Sequence, residues 1–312
     1  MLRLSAVRTD VTLPPPARPA PLSRVLENHT TLGVLMVAPA VLILAGLLAY
    51  PFLLGIYLSL TNAIIGRTGQ FIGLGNYVSL LGDPLFRLAT FNTFLYTIVA
   101  CAFKLVLGLA LAILLNREFL GKRFIRAIVL LPYIVPTVLS AISFWWIYDP
   151  TFGIISYTLQ HLGLISYGID FLGDPGLARA ALIAANIWRG VPFYAIGLLA
   201  ALQTVPASLF EAGAIDGAGR WGTFWHITMP LLTPITVVIT MFSVILTFAD
   251  FQLPWVITRG GPNNATQLYG TLAFQRAIQG AHMGEGAAVA MAIFPVLVTT
   301  VIVSFRYLRR DD

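Results

Sequence analysis

Charge is scarce in this chain. Only 10% of its 312 residues are charged, where a soluble domain carries about a quarter, and the shortage argues against a water-soluble enzyme. Lysine occurs only as Lys104 and Lys122. Neither completes a phosphate-binding G-x-x-x-x-G-K-[ST] loop, because Asn116 stands at the first glycine position and Arg123 at the hydroxyl position after Gly121-Lys122. No serine lies in G-x-S-x-G, and His29, His161, His226 and His282 are too scattered for H-E-x-x-H. A single cysteine, Cys101, excludes a disulfide framework and a cysteine-rich metal site. Secondary transporters place carboxylates inside their spans; here only Asp250 comes near one. The net charge is +6 with an isoelectric point near 9.7, but arginines scattered among apolar runs do not make a nucleic-acid binder.

What the chain does have is apolar length: 58% of residues are hydrophobic and the mean hydropathy is +0.84. A bilayer-spanning helix needs about 20 mostly apolar residues. Six segments qualify: Gly33–Leu60, Leu88–Leu115 (interrupted by Lys104), Ala127–Tyr148, Leu177–Leu202 (with Arg179 and Arg189), Ile227–Ala249 and Gly286–Phe305. The runs are too long for barrel strands and show no alternation of period 2. The expectation is an all-α integral membrane protein with six transmembrane helices.

Residues 1–28 mix five prolines with Arg3, Arg8, Arg18 and Arg24, which reads as a basic Pro-rich cytoplasmic tail. No short apolar core precedes a small-residue cleavage site, so the first span, 29–61, reads as an uncleaved anchor. Arg and Lys mark the inner side of a membrane. Twelve fall on the side of the tail, the 116–126 link, Arg220 and the C-terminus, and five on the other. Both termini should therefore be cytoplasmic. Residues 62–87 and 251–285 should be outer links, and their glycines and prolines suggest tight turns.

One cytoplasmic link, residues 206–234, ends by re-entering the membrane. Pro206 suits a helix start and Gly217 a helix stop, predicting a short helix near Ala207–Asp216, a bend, and a second helix feeding span five. About ten residues make a marginal helix in water, so this one needs a partner groove. Glu211, Ala212, Asp216, Gly217, Ala218, Phe224, Ile227, Pro230 and Pro234 match at fixed spacing the EAA loop of ABC-importer permeases. The chain resembles that family over about residues 30–308. Gly213 stands where the loop usually has alanine, loosening the helix by up to about 1 kcal/mol. Phe71–Tyr77 and Gly260-Gly261-Pro262 followed by Thr266 resemble segments of the sugar-uptake permeases of the maltose and glycerol-3-phosphate type.

This resemblance implies a type I ABC-importer permease fold in the bacterial inner membrane, its core at 88–308, carrying a sugar or sugar-like solute by alternating access. It implies a second, different permease, two copies of a cytoplasmic ATPase, and a periplasmic or lipid-anchored solute-binding protein. The chain itself would be non-catalytic and without a cofactor, ATP and Mg residing on the ATPase. Glu211, Ala212, Gly213, Asp216, Gly217 and Ala218 would form the ATPase-coupling site. A permease for a peptide, amino acid or polyamine is the alternative, and a non-transporting scaffold is a more distant one.

Two polar stripes flank the loop. Asn186, Arg189, Gly190 and Phe193 stand at i, i+3, i+4 and i+7, and Ser243, Leu246, Thr247 and Asp250 repeat the spacing, so each set shares one helix face. Hydroxyl partners beside aromatics suit a sugar; helix packing with polar glue is the competing explanation. A mid-span charge costs about 2.5–3.5 kcal/mol on insertion scales, so Arg189 should face water, solute or a carboxylate. Asp250 should lie two or three turns nearer the outer mouth, leaving Arg189 to solute or pore water. Lys104 reads as structurally paired.

The topology is directly testable. Tags at residue 5 and after Asp312 should both report from the cytoplasm and a tag near Asn263 from the periplasm; a periplasmic C-terminus would mean a miscounted span.

Overall fold

The structure, a computed structural model, describes residues 29–309; the basic tail lies outside the described residues. Among those residues the chain is helical, with no strand and two isolated β-bridges, Thr61–Phe71 and Ile64–Arg67. In chain order the α-helices are α1 His29–Leu44, α2 Tyr50–Ser59, α3 Gly75–Gly82, α4 Pro84–Asn116, α5 Lys122–Ile134, α6 Thr137–Ile147 and α7 Ile154–His161. They continue with α8 Pro175–Thr204, α9 Ala207–Ile215, α10 Arg220–Thr223, α11 Met229–Phe248, α12 Gln252–Ile257, α13 Tyr269–Phe274, α14 Met283–Met291 and α15 Ile293–Leu308. Single π turns lie at Ala45–Ala49, Phe224–Thr228 and Gln275–Gln279.

Two compact units result, one ending at Leu54 and one starting at Gly55. In the first, the described residues are helical and expose Val34, Met36, Leu42 and Leu47, an apolar surface suited to lipid rather than water. The second holds everything that follows.

Its centre is α4 packed along α8. Both helices start at Asp-Pro. Asp83 accepts the Leu85 N–H at 2.8 Å, and Asp174 accepts the Gly176 and Leu177 N–H groups at 2.8 Å, while Pro84 and Pro175 occupy first positions that need no donor. These caps carry both helices a little beyond their apolar runs. Alanine and glycine line the seam: Ala100, Ala112, Ala178, Ala181, Ala185 and Ala195 are all buried. Where Gly108 meets Tyr194, a Cβ on the glycine would strike the tyrosine Cβ and lie 3.2 Å from Ala195 N. Small residues of this kind let helix backbones approach in a membrane, where apolar burial alone gives no drive.

The pairings Gly108–Tyr194, Lys104–Gly190 and Asn92–Arg179 keep an almost constant offset of 86 or 87 residues, so α4 and α8 run parallel. The chain must recross the membrane between them. The expected single helix Ala127–Tyr148 is instead two, α5 and α6, bent by 90°. Pro136 is the cause: it lacks an N–H and forces Val135 out of helical geometry, to φ −61 and ψ 131. Arg126 of α5 bonds Leu115 O at the C-terminal end of α4, and Tyr148, just past α6, bonds Ala181 O near the N-terminal start of α8. The bent pair therefore makes a crossing, the sixth beside five unbroken apolar stretches. Antiparallel to α4, α11 closes the bundle against α4, α8 and α15.

The links 62–87 and 251–285 are packed rather than loose. Asn76 donates to Ser59 O and Thr61 O at 2.8 Å, and Tyr77 to Ser59 Oγ at 2.8 Å. Arg179 reaches Asn92 Oδ1 at 3.1 Å and Ala265 O at 2.8 Å, fastening the Gly260–Leu268 turn over α4 and α8. Arg276 pairs with Asp83 and with Glu285.

The seam yields a packing test. Gly108→Leu overpacks it, at a cost of about 1–3 kcal/mol, and should lower the melting temperature of the detergent-solubilised chain. Gly82→Leu, whose Cβ position has nothing within 4 Å, should not. Equal melting of the two variants would argue against the close approach.

Candidate functional site

Where α4, α8 and α11 meet, they enclose one side of a cavity of about 660 Å³. Its lining includes both stripes read from the sequence: Asn186, Arg189, Gly190 and Phe193 from α8, Ser243, Leu246 and Thr247 from α11, and Asp250 just beyond it. Lys104, Tyr133, Thr137, Phe251 and Gln252 complete most of the wall. Two helical faces of period 3.6 thus converge because α8 and α11 lie side by side.

Asp250 is held by neutral donors. Its Oδ2 accepts from the Tyr96 hydroxyl at 2.7 Å and Asn186 Nδ2 at 3.1 Å, and its Oδ1 faces Leu253 N–H at 3.4 Å. Because Asn186 stands one turn before Arg189, the depth separation is about one turn, roughly 5 Å, not the two or three turns expected from the sequence. Proximity still produces no ion pair: among the described residues, Arg189 is not paired with Asp250 or any carboxylate. The buried Arg189 Nε and Asn186 Oδ1 have no hydrogen-bond partner.

Lys104, which from sequence reads as structurally paired, lines this cavity. Its side chain lies across Gly190, whose Cβ would come within 2.5 Å of Lys104 Cε, and its Nζ donates to Thr247 Oγ1 at 2.9 Å. The available signal was negative: no carboxylate lies one turn away on its own helix. Tyr96 and Tyr133 carried no such signal, since aromatic residues in spans are commonplace. Tyr133 stacks on Phe193 at 5.8 Å and 22°, giving the cavity a flat apolar surface. Ser243 Oγ, 3.4 Å from Cys101 Sγ, and Thr137 add hydroxyls.

At the opposite end of α8 lies the short loop helix. It runs Ala207–Ile215 with Pro206 just before it, at φ −61 and ψ 134, so the proline flanks the helix rather than occupying its first turn. Gly217 takes φ +77, and the Gly217 N–H to Ala214 O and Ala218 N–H to Gly213 O bonds, at 3.2 and 2.9 Å, close the paired C-terminal motif that a left-handed glycine permits. Glu211, Ala212, Asp216, Gly217 and Ala218 are exposed. Gly213 alone is buried, and its missing side chain makes room: a Cβ there would sit 2.7 Å from Ile227 Cδ1. Ile215 and Trp221 are largely exposed beside it, at 86% and 77%.

Comparison with known proteins bears on both regions. Residues 104–309 match the family model described as binding-protein-dependent transport system inner membrane component. A sulfoquinovosyl glycerol transport system permease protein of Agrobacterium fabrum is 34% identical, covering 90% of this chain and 91% of its own. A trehalose/maltose transport system permease protein of Thermococcus litoralis is 32% identical, covering 93% and 98%. In shape the chain is similar to a crystal structure of a bacterial ABC transporter involved in import of the acidic polysaccharide alginate, with TM-score 0.80 and 22% identity over 93% of this chain and 98% of that one.

The cavity geometry predicts how two charges behave on substitution. Neither of Arg189→Ala and Asp250→Asn should restore the melting temperature that the other loses, because no ion pair or hydrogen bond joins the two side chains. Tyr96→Phe and Asp250→Asn should be non-additive. Mutual rescue of the Arg189 and Asp250 variants would establish a structural ion pair instead.

Proposed function

The chain belongs to the family of binding-protein-dependent transport system inner membrane components, and from that premise we propose that it carries a sugar or sugar-like solute through the cavity between α4, α8 and α11. It is a membrane-spanning permease subunit of an ABC importer. The observation that carries the solute reading is the lining of that cavity: hydroxyl, amide and charged groups beside the Tyr133–Phe193 stack, within helices that are otherwise apolar. The names of the Agrobacterium and Thermococcus relatives, both sugar permeases, support it. A scaffold would have no need of charged residues at this depth.

Energy enters elsewhere. In this reading α9 docks in a separate cytoplasmic ATPase, two copies of which serve this chain and a second, different permease. Leu246, 61% exposed on the cavity rim, faces that second permease, which closes the pore. A periplasmic or lipid-anchored binding protein delivers solute from outside. ATP binding, at the ATPase rather than at this chain, draws the two docking helices together and shifts the pore toward its outward-open state. The shift is a change of population between two arrangements, biased by whichever ligand prefers one.

The docking helix supplies the test. Gly217→Val places a β-branched residue where φ is +77, a conformation valine resists. Reconstituted with its partner subunits in liposomes, the variant should insert normally yet lose ATP-driven uptake of whichever labelled sugar or sugar acid the wild-type transporter carries. Full solute-stimulated ATP turnover in the variant would count against coupling through this helix.

A further inference from the structure

We infer that the solute carries a negative charge, and that Lys104 and Arg189 together form its anion subsite. The inference rests on the import reading above and specifies the solute of the same cavity.

Two cations and one carboxylate face the cavity, and the carboxylate is already engaged. Asp250 takes its hydrogen bonds from Tyr96, Asn186 and the Leu253 N–H, all neutral. Lys104 gives one of its three protons to Thr247, so two donors remain. Arg189 keeps a buried Nε without any partner. Elsewhere Arg276 has Asp83 and Glu285, Arg179 has Asn92 and the Ala265 carbonyl, and Arg126 has the Leu115 carbonyl although its Nε is likewise unpartnered. Around this cavity two adjacent helices bring two positive charges to one wall beside a single carboxylate that neutral donors already engage.

Gly190 makes the juxtaposition possible. The Lys104 stem fills the space a side chain would take, 2.5 Å from an ideal Cβ at its Cε and 3.1 Å at its Nζ. The ammonium is thereby held beside Gly190, in the cavity that Arg189 also lines. Two like charges on one cavity wall repel, and a neutral solute would leave that repulsion in place. An oxyanion group on the solute (carboxylate, sulfonate or phosphate) would accept charge-assisted hydrogen bonds from both. A bare inorganic anion would leave the Tyr133–Phe193 face and most of 660 Å³ unused. The fitting class is a sugar acid, its ring on the aromatic face and its anionic group between Lys104 and Arg189.

The test uses the complete transporter with its binding protein in liposomes, offered labelled glucuronate, glucose 6-phosphate, glucose and trehalose. ATP-dependent uptake of glucuronate or glucose 6-phosphate is expected. Lys104→Met and Arg189→Gln should each raise its half-saturating concentration by about 10- to 100-fold, the range expected for a lost hydrogen bond to a charged group, and Arg189→Lys should recover much of the loss. Co-purification with the ATPase checks assembly; if Lys104→Met fails to assemble, Arg189→Gln, on the cavity wall, decides alone. Uptake confined to glucose or trehalose, and unchanged in the variants, overturns the anion subsite while leaving sugar import standing. ATP-dependent uptake of none of the four overturns the sugar reading, and the subsite with it.

Discussion

The parallel contact of α4 with α8 is the constraint on which the rest of this subunit depends. Parallel neighbours cannot be joined by a short turn, so the α5–α6 segment has to carry the chain back across the membrane. Close approach along the seam demands residues almost without side chains, and Gly108, Gly190 and the buried alanines supply them. Because one of those gaps is Gly190, the only lysine in a span can lie across it and reach Thr247 of a third helix. The same fixed offset sets Asn92 beside Arg179 near the N-terminal ends of both helices, fastening the Gly260–Leu268 turn. Packing and site are therefore one arrangement: loosening the seam would move Lys104 away from Arg189 as surely as it would open a gap.

Much of this was legible in the sequence, for definite reasons. Apolar length reveals spans because a bilayer leaves backbone groups no partner but each other. The stripes on α8 and α11 could be read because residues at i, i+3, i+4 and i+7 must share a face on any helix. Which faces meet is a different matter. That Asp250 lies level with Asn186, and that Tyr96 bonds it from 154 residues away, depends on the relative sliding of helices, which no local periodicity encodes. The bend at Pro136 escaped for a related reason: hydropathy counts apolar residues without regard to direction, and Ala127–Tyr148 is apolar on both sides of the break.

Lys104 shows how far a sound rule reaches. Buried charges are ordinarily paired, so a lone lysine in an apolar span reads as structurally paired. The partner found is a hydroxyl, Thr247, which satisfies one proton and neutralises nothing. Read together, Lys104, Arg189 and the neutral coordination of Asp250 describe a cavity with one more positive charge than negative, a property that belongs to no single residue and is visible only once three helices are placed.

The glycine that departs from the loop pattern connects the two ends of the molecule. Gly213 gives its space to Ile227, which lies in the π turn at the head of α11. From there a helical stretch runs from Arg220 to Ile257, passing Ser243, Leu246, Thr247 and Asp250 on the cavity wall. The short helix α9 thus packs on the same element that carries half of the cavity lining. A displacement of α9 would meet Ile227 first, and α11, 20 residues long with Pro234 inside it, is the element that would carry it. The wall that would move most directly is Thr247, against which Lys104 is anchored. Under the proposed function, coupling and solute contact would meet in this one bond.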